Sequence, residues 1–359
     1  MEKEKVFSEA VLGRPMSKRS ARNSMVLDYN AYIRMGYNEN PYGMAESVKK
    51  VITEYTNYAH FYPEFQYDEL REVLAKKHDL KKTNFVIGEG SADLINIVGE
   101  AFLNPGDEVI FCPTFYAFKD MVDIERAKLV MVPLKEDMSY DLDGIYNAMT
   151  DKTKMVIITN PNNPTGGYVS FEEIRKFISK LNENIVVFID EAYMKFATAD
   201  DCKSAIDLID EFPNKPILVM KTFSKYYALA GVRIGYLVAN EEVVEGVLVV
   251  PIPTVSELSQ RAAIQTLKEE DYYLNNKEKI IEGVRYLGKE LKRLGCKVYP
   301  SQTNFIMFDA HVDNEWLQDK LLEKKIHIAC PMYNRVTVST KENNEYFIQC
   351  LEEILKEAK

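Results

Sequence analysis

The sequence predicts an α/β fold: a large domain with a mostly parallel sheet sandwiched by helices, plus a smaller α+β domain. Two observations carry this. Between residues 45 and 239, short apolar runs rich in β-branched residues alternate with longer segments of helical spacing, the pattern of a parallel sheet whose crossovers are helices. After about residue 251 the alternation stops, and one long helix-like stretch is followed by a few short strands. With 359 residues, 46% hydrophobic, the chain has enough apolar material for two such cores.

Residues 1–44 are read as an N-terminal arm and the start of the small domain. Up to about Val26 the arm carries Arg14, Lys18, Arg19 and Arg22 and has no clear periodicity. The large domain spans 45–250, with strand-like runs at 108–111, 129–132, 155–159, 185–189, 217–220 and 234–239. Helical spacing marks 91–103 and 171–181. In the second, Ser170 and Glu173 stand as in a capping box, and Ile174, Phe177, Ile178 and Leu181 fall on one face. The small domain, 251–359, opens with a helix over 272–294 stopped by Gly295, a C-cap residue. A strand at 304–308, a helix at 314–324, a strand at 335–339 and a final helix over 342–356 complete it.

Charge and composition exclude several function classes. A balance of 45 Lys+Arg against 55 Asp+Glu gives −10 at pH 7, which disfavours a broad nucleic-acid or anionic-membrane surface. No apolar run reaches the roughly 18 residues of a membrane helix, and Met1-Glu-Lys-Glu-Lys5 lacks a secretion-signal core. The five cysteines are far apart and never form a Cys-x-x-Cys pair, so neither a disulfide framework nor a metal site is expected, and the expected setting is the cytoplasm.

The chemistry begins at Lys221-Thr-Phe-Ser-Lys225-Tyr-Tyr-Ala-Leu-Ala-Gly231-Val-Arg233. A lysine on a loop is usually a solvated charge. Here Thr222 and Ser224 precede Lys225 and Arg233 follows eight residues on, so hydroxyls and a cation can converge on one phosphate beside an amine. That points to a phosphorylated carbonyl cofactor held as a Schiff base.

Together with Asn160-Pro-Asn-Asn-Pro-Thr-Gly166 and Asp190-Glu-Ala-Tyr193, this segment resembles the fold-type I pyridoxal-phosphate aminotransferases (class I/II), whose fold is aspartate-aminotransferase-like. Asn38-Glu-Asn-Pro-Tyr-Gly43 and Arg335-Val-Thr-Val-Ser-Thr340 make the histidinol-phosphate aminotransferase branch the most similar. The motifs recur in family order from about Gly36 to the C-terminus.

The resemblance implies pyridoxal 5'-phosphate as cofactor and a role for each matching residue. Lys225 would carry the cofactor and shuttle the proton. Asp190, at the end of an apolar run where doubly wound folds place ligands, would keep the pyridine nitrogen protonated. Tyr193 and Asn163 would bond the phenolic oxygen. Gly90, Ser91 and Ala92, ahead of a helix with free amides, would cradle the phosphate with Thr222, Ser224 and Arg233. Phe115 would stack on the ring. Tyr62, in Phe61-Tyr62-Pro63, would reach the phosphate in a neighbouring subunit, so a homodimer with shared sites is implied. Arg335 would clamp the substrate carboxylate, with Asn163, Tyr32 and Asn304 along the wall. The partners implied are an amino donor and a 2-oxo acid acceptor, exchanged in ping-pong fashion.

Two departures bear on the substrate. The branch usually has a second arginine upstream of the carboxylate arginine, and Ile326-His-Ile-Ala-Cys-Pro331 contains none. Phe61 stands where an arginine commonly precedes the tyrosine-proline pair. A substrate phosphate without a cation loses a charge-assisted contact of about 1.5–3 kcal/mol; His327, Arg34 and the arm are the substitutes at hand. The rival readings are a decarboxylase of the threonine-phosphate type, which would release carbon dioxide, and a non-catalytic binding protein on the same fold. The intact Lys225, Asp190, Tyr193 and Arg233 set argues against the second. A nicotinamide enzyme is disfavoured because Gly88-Glu-Gly90 lacks a third glycine at the expected spacing.

Overall fold

The computed structural model describes residues 29–330 and 332–358, together with Leu12. Arg14, Lys18, Arg19 and Arg22 of the basic arm lie outside the described residues. The described chain enters through strand β1 (Ile33–Met35) and helices α1 (Glu46–Tyr55) and α2 (Asp68–His78).

A seven-stranded sheet follows, built from β2 (Phe85–Gly88), β3 (Glu108–Phe111), β4 (Lys128–Met131), β5 (Thr153–Thr159), β6 (Val186–Asp190), β7 (Ile217–Thr222) and β8 (Gly235–Val238). The spatial order is β2-β8-β7-β6-β5-β3-β4. β8 runs antiparallel to both its neighbours; the other pairs are parallel. The helices between the strands are α3 (Ser91–Phe102), α4 (Tyr116–Ile124), α5 (Leu142–Asn147), α6 (Phe171–Lys180) and α7 (Asp207–Glu211), and α8 (Glu241–Val247) follows β8. The fold class expected from sequence is therefore the one observed.

Both faces of the sheet are covered, which is why its central strands read as continuous apolar runs rather than alternating ones. On one face Ile157, Phe188 and Leu218 meet Val98 of α3 and Met121 of α4. On the other, Ile158, Val187 and Val219 belong to the same buried apolar core as Ile174 and Phe177 of α6. Burying each of these side chains stabilises the fold by about 1.5–3 kcal/mol. The start of α6 is fixed by a reciprocal cap: Glu173 N–H donates to Ser170 Oγ at 3.2 Å, and Ser170 N–H donates to the Glu173 carboxylate at 3.1 Å.

The remaining helices are α9 (Glu257–Thr266), α10 (Glu270–Arg293), α11 (Asn314–Glu323) and α12 (Lys341–Glu357), with strands β9 (Lys297–Val298), β10 (Phe305–Asp309), β11 (Ile326–Ile328) and β12 (Asn334–Thr337). β12, β10 and β9 form an antiparallel sheet in that order, and β1 pairs in parallel with β11, placing Arg34 opposite His327. The N-terminal segment is thereby stitched to the C-terminal part of the chain. Gly295 takes a φ of 88° just past α10, as its C-cap reading requires. β1 and β2 lie outside the runs read from sequence.

Candidate active site

The parallel strands deliver their carboxyl ends to one edge of the sheet. Gly88 closes β2, Thr159 closes β5, Asp190 closes β6 and Thr222 closes β7, with Lys225 three residues beyond. Gly235, opening the antiparallel β8, registers with both Gly88 and Thr222. Edges of this kind are where doubly wound sheets hold ligands.

Lys225 is half-buried, its Nζ donating to the Tyr37 carbonyl at 3.0 Å and lying 5.9 Å from the centre of the Tyr193 ring. Burial, helped by the positive charge of Arg335, lowers its pKa to about 8, so the amine is within reach of its neutral form near physiological pH. Asp190 is buried and accepts the Ala192 N–H at 2.9 Å. Burial pushes its pKa up to about 7, against the pull of that hydrogen bond and of Lys225. A carboxyl group in that state gains by meeting a cation.

Tyr193 is buried edge-on against Phe305, ring centres 5.2 Å apart, and its oxygen accepts the Asn38 side-chain N–H at 2.8 Å. Arg335, on β12, is buried: Nη1 donates to Asn163 Oδ1 at 2.5 Å, Nη2 donates to the Gly36 carbonyl at 2.8 Å, and Nε has no partner among the described residues. An arginine so placed, with a buried donor to spare, is suited to receive a carboxylate.

Among the residues expected to cradle a phosphate, Gly90 and Arg233 meet directly. Gly90, at φ 83°, precedes α3, whose first two residues are Ser91 and Ala92. A Cβ on Gly90 would sit 2.4 Å from the Arg233 guanidinium, so glycine is what lets Arg233 lie over this turn. Arg233 also donates to the Glu89 and Ala230 carbonyls. Thr222 and Ser224 are buried at the same edge, the Ser224 N–H donating to Thr222 Oγ1 at 3.1 Å.

Phe115 is half-buried at the start of α4, and the adjacent Thr114 hydroxyl bonds Thr159 and Asn162, which ties this turn to the end of β5. Asn163 stands in the turn between two cis prolyl bonds and reaches Arg335 as above. Tyr32 lines a cleft with Arg34, Glu39 and Ser224, with the Lys325 Nζ 5.0 Å from its ring centre. Tyr62 is not brought to this cluster within one chain; it is 89% exposed.

A family model described as aminotransferase class I and II matches residues 30–351. The chain belongs to this family. It is 33% identical over 333 residues to the histidinol-phosphate aminotransferase of a Geobacillus species (strain WCH70), covering 90% of each chain. Among solved structures it is similar to the histidinol-phosphate aminotransferase of Sinorhizobium meliloti in complex with pyridoxal 5'-phosphate, at TM-score 0.84 and 26% identity over 91% of each chain. It shares its fold with aspartate aminotransferase from Thermotoga maritima, at TM-score 0.83 and 21% identity over 98% of this chain and all of that one. The chain is an aminotransferase of the histidinol-phosphate branch.

Within this aminotransferase, several residues at the site had no role in the sequence reading. Asn38, quoted there only as part of its motif, contacts Tyr193 directly. The Thr337 hydroxyl accepts the Asn38 backbone N–H and donates to the Asn38 side-chain oxygen. Glu191 is fully buried, and its carboxylate accepts from Lys221 at 2.5 Å, Ser204 Oγ at 2.7 Å and the Ala205 N–H at 2.6 Å. The acidic partner of Asp190 in the Asp-Glu pair and the lysine opening the Lys221 segment were visible in sequence, but nothing local says that they meet.

Proposed function

We propose that this aminotransferase carries pyridoxal phosphate on Lys225 and moves an amino group from an amino acid or a histidinol-phosphate-like amine to a 2-oxo acid. The single observation that supports this most is the convergence of Lys225, Asp190, Tyr193 and Arg335 beside a glycine turn that leaves room for Arg233. When bound, the cofactor supplies an aldehyde that condenses with amines and a ring that takes up the electron pair left on the substrate carbon.

The residues divide that work. Gly90, Ser91 and Ala92 offer amides at a helix start, and Thr222, Ser224 and Arg233 offer hydroxyls and charge, so together they hold a phosphate. Asp190, its pKa raised by burial, would pair its negative charge with a protonated ring nitrogen. Tyr193 and Asn163 would bond the phenolic oxygen, and Phe115 would cover the ring. Arg335 orients the substrate through its carboxylate. The Lys225 amine, its pKa lowered to about 8 by burial, would take the proton from the substrate carbon and hold it on Nζ, general acid–base work suited to that pKa.

The substrate assignment draws on the relatives' activity. Arg34 lies opposite His327 across the β1–β11 pair and is bonded to Glu39 at 2.8 and 3.1 Å; it is our candidate for the missing second arginine. We assign a homodimer, with Tyr62 completing the partner's site. Tyr62 is surrounded by Tyr58, Phe61 and Phe65, all more than half exposed, an apolar patch of the kind that interfaces cover. The cytoplasm is the assigned setting, in keeping with five free cysteines.

Borohydride reduction of the cofactor-loaded protein followed by peptide mass analysis tests the core of this reading. A reduced adduct on Lys225, and its loss with activity in Lys225→Ala, is the expected result. Full activity in Lys225→Ala overturns it. A panel of amino acids and histidinol phosphate, scored by conversion of the bound cofactor to its amine form, identifies the donor.

A further inference from the structure

Tyr193 is held by a hydrogen-bond chain whose direction can be worked out. The Asn38 backbone N–H donates to Thr337 Oγ1 at 3.0 Å, and the Thr337 hydroxyl donates in turn to Asn38 Oδ1 at 3.0 Å. The Asn38 amide therefore presents its oxygen to Thr337 and its NH2 to the Tyr193 oxygen, 2.8 Å away. Turning the amide over would deprive the Thr337 O–H of its acceptor. Asn38 and Thr337 are 2% and 1% exposed, so water is not at hand to repair the mismatch. The Asn38 carbonyl is pinned as well, accepting from Asn304 Nδ2 at 3.2 Å, and the backbone adopts a φ of 56°, a conformation that asparagine tolerates better than most residues.

We propose that Asn38 and Thr337 are positioning residues that fix the direction of the Tyr193 hydroxyl. With its oxygen already accepting from Asn38, its one proton is left to be donated into the site, toward the phenolic oxygen of the cofactor. This rests on the role assigned above to Tyr193. Thr337 is two residues from Arg335 on β12, so the strand that carries the carboxylate clamp also carries this constraint. The charged groups around Tyr193 are Arg335, Asp190 and Lys225, and the variants below leave all three in place.

The test is a pH titration of the visible absorbance band of the cofactor-loaded protein, run on wild type, Asn38→Gly, Thr337→Val, Thr337→Ser and Tyr193→Phe. A donor to the phenolic oxygen favours the deprotonated form, so weakening it raises the midpoint. Asn38→Gly keeps the backbone relaxed and Thr337→Val keeps the shape. Each is expected to raise the midpoint by about half to one pH unit, with Thr337→Ser staying at the wild-type value. Tyr193→Phe is expected to raise it at least as far, and adding Asn38→Gly to Tyr193→Phe to change nothing further. Unmoved midpoints in both Asn38→Gly and Thr337→Val overturn the proposal, as does a shift that survives undiminished in the Tyr193→Phe background. Failure to trap cofactor on Lys225 in the wild type is a different result, and it overturns the assignment on which the proposal rests.

Discussion

Arg335, on β12, donates a guanidinium N–H to the side chain of Asn163 at 2.5 Å, bridging the C-terminal sheet and the turn that follows β5. The same guanidinium keeps a buried Nε without a partner among the described residues. Lysine cannot reproduce this geometry, because its ammonium is a point charge without the planar fork that meets a carboxylate on two atoms. Arg335→Lys should therefore lower kcat/KM for amino acids by about 10- to 100-fold, mostly through KM. Amines without an α-carboxylate should be little affected. Steady-state kinetics with one substrate of each kind checks this.

The Gly90 turn makes a separate prediction. A methyl group there would lie 2.4 Å from Arg233, on a backbone at φ 83°, so Gly90→Ala combines a displaced guanidinium with a strained turn. The variant should hold pyridoxal phosphate about tenfold more weakly, read by equilibrium dialysis, and should lose about 1–2 kcal/mol of stability in urea.

How much of this was legible in the sequence depends on distance along the chain. The α6 cap, Ser170 to Glu173, spans three positions and could be read directly, as could the Lys225 segment and the Asp190 strand end. The bond from Asn38 to Tyr193 spans 155 positions and the bond from Asn38 to Thr337 spans 299. No periodicity reports such a meeting; it follows only once β1 has paired with β11 and carried the N-terminal segment to the β12 sheet. The sequence motif therefore marked Asn38 without revealing its work. Tyr62 is the opposite case: its motif suggested a role, and the single chain leaves it on the surface.

Glu191 and Lys221 form an ion pair at 2.5 Å, with the carboxylate side chain fully buried. Each sits beside a proposed site residue, Glu191 next to Asp190 and Lys221 next to Thr222, so the pair ties the ends of β6 and β7 together. Removing one partner strands the other charge away from water. Glu191→Ala should destabilise the protein by about 3–5 kcal/mol, more than Lys221→Met, whose loss leaves Glu191 still bonded to Ser204 and Ala205. Chemical denaturation of both variants in the cofactor-free state compares the two.

Asp190 gives the protein a pH dependence whose sign can be worked out. In the cofactor-free fold its pKa is about 7, against about 3.9 in an unfolded chain. Between these values the folded state holds a proton that the unfolded state has released, so this group's contribution to stability falls as pH rises from about 4 to 7. The full effect is at most about 4 kcal/mol. Buried His327, with its pKa lowered to about 4, acts in the opposite direction over much of the same range, since the unfolded state takes up its proton first. The Asp190 term is therefore isolated by difference. Asp190→Asn should gain on wild type as pH rises from about 4, level off above about 7, and show no such gain when both proteins are loaded with pyridoxal phosphate, because the protonated ring nitrogen then meets the carboxylate. Thermal unfolding of the two proteins across pH 4–8, with and without cofactor, measures it.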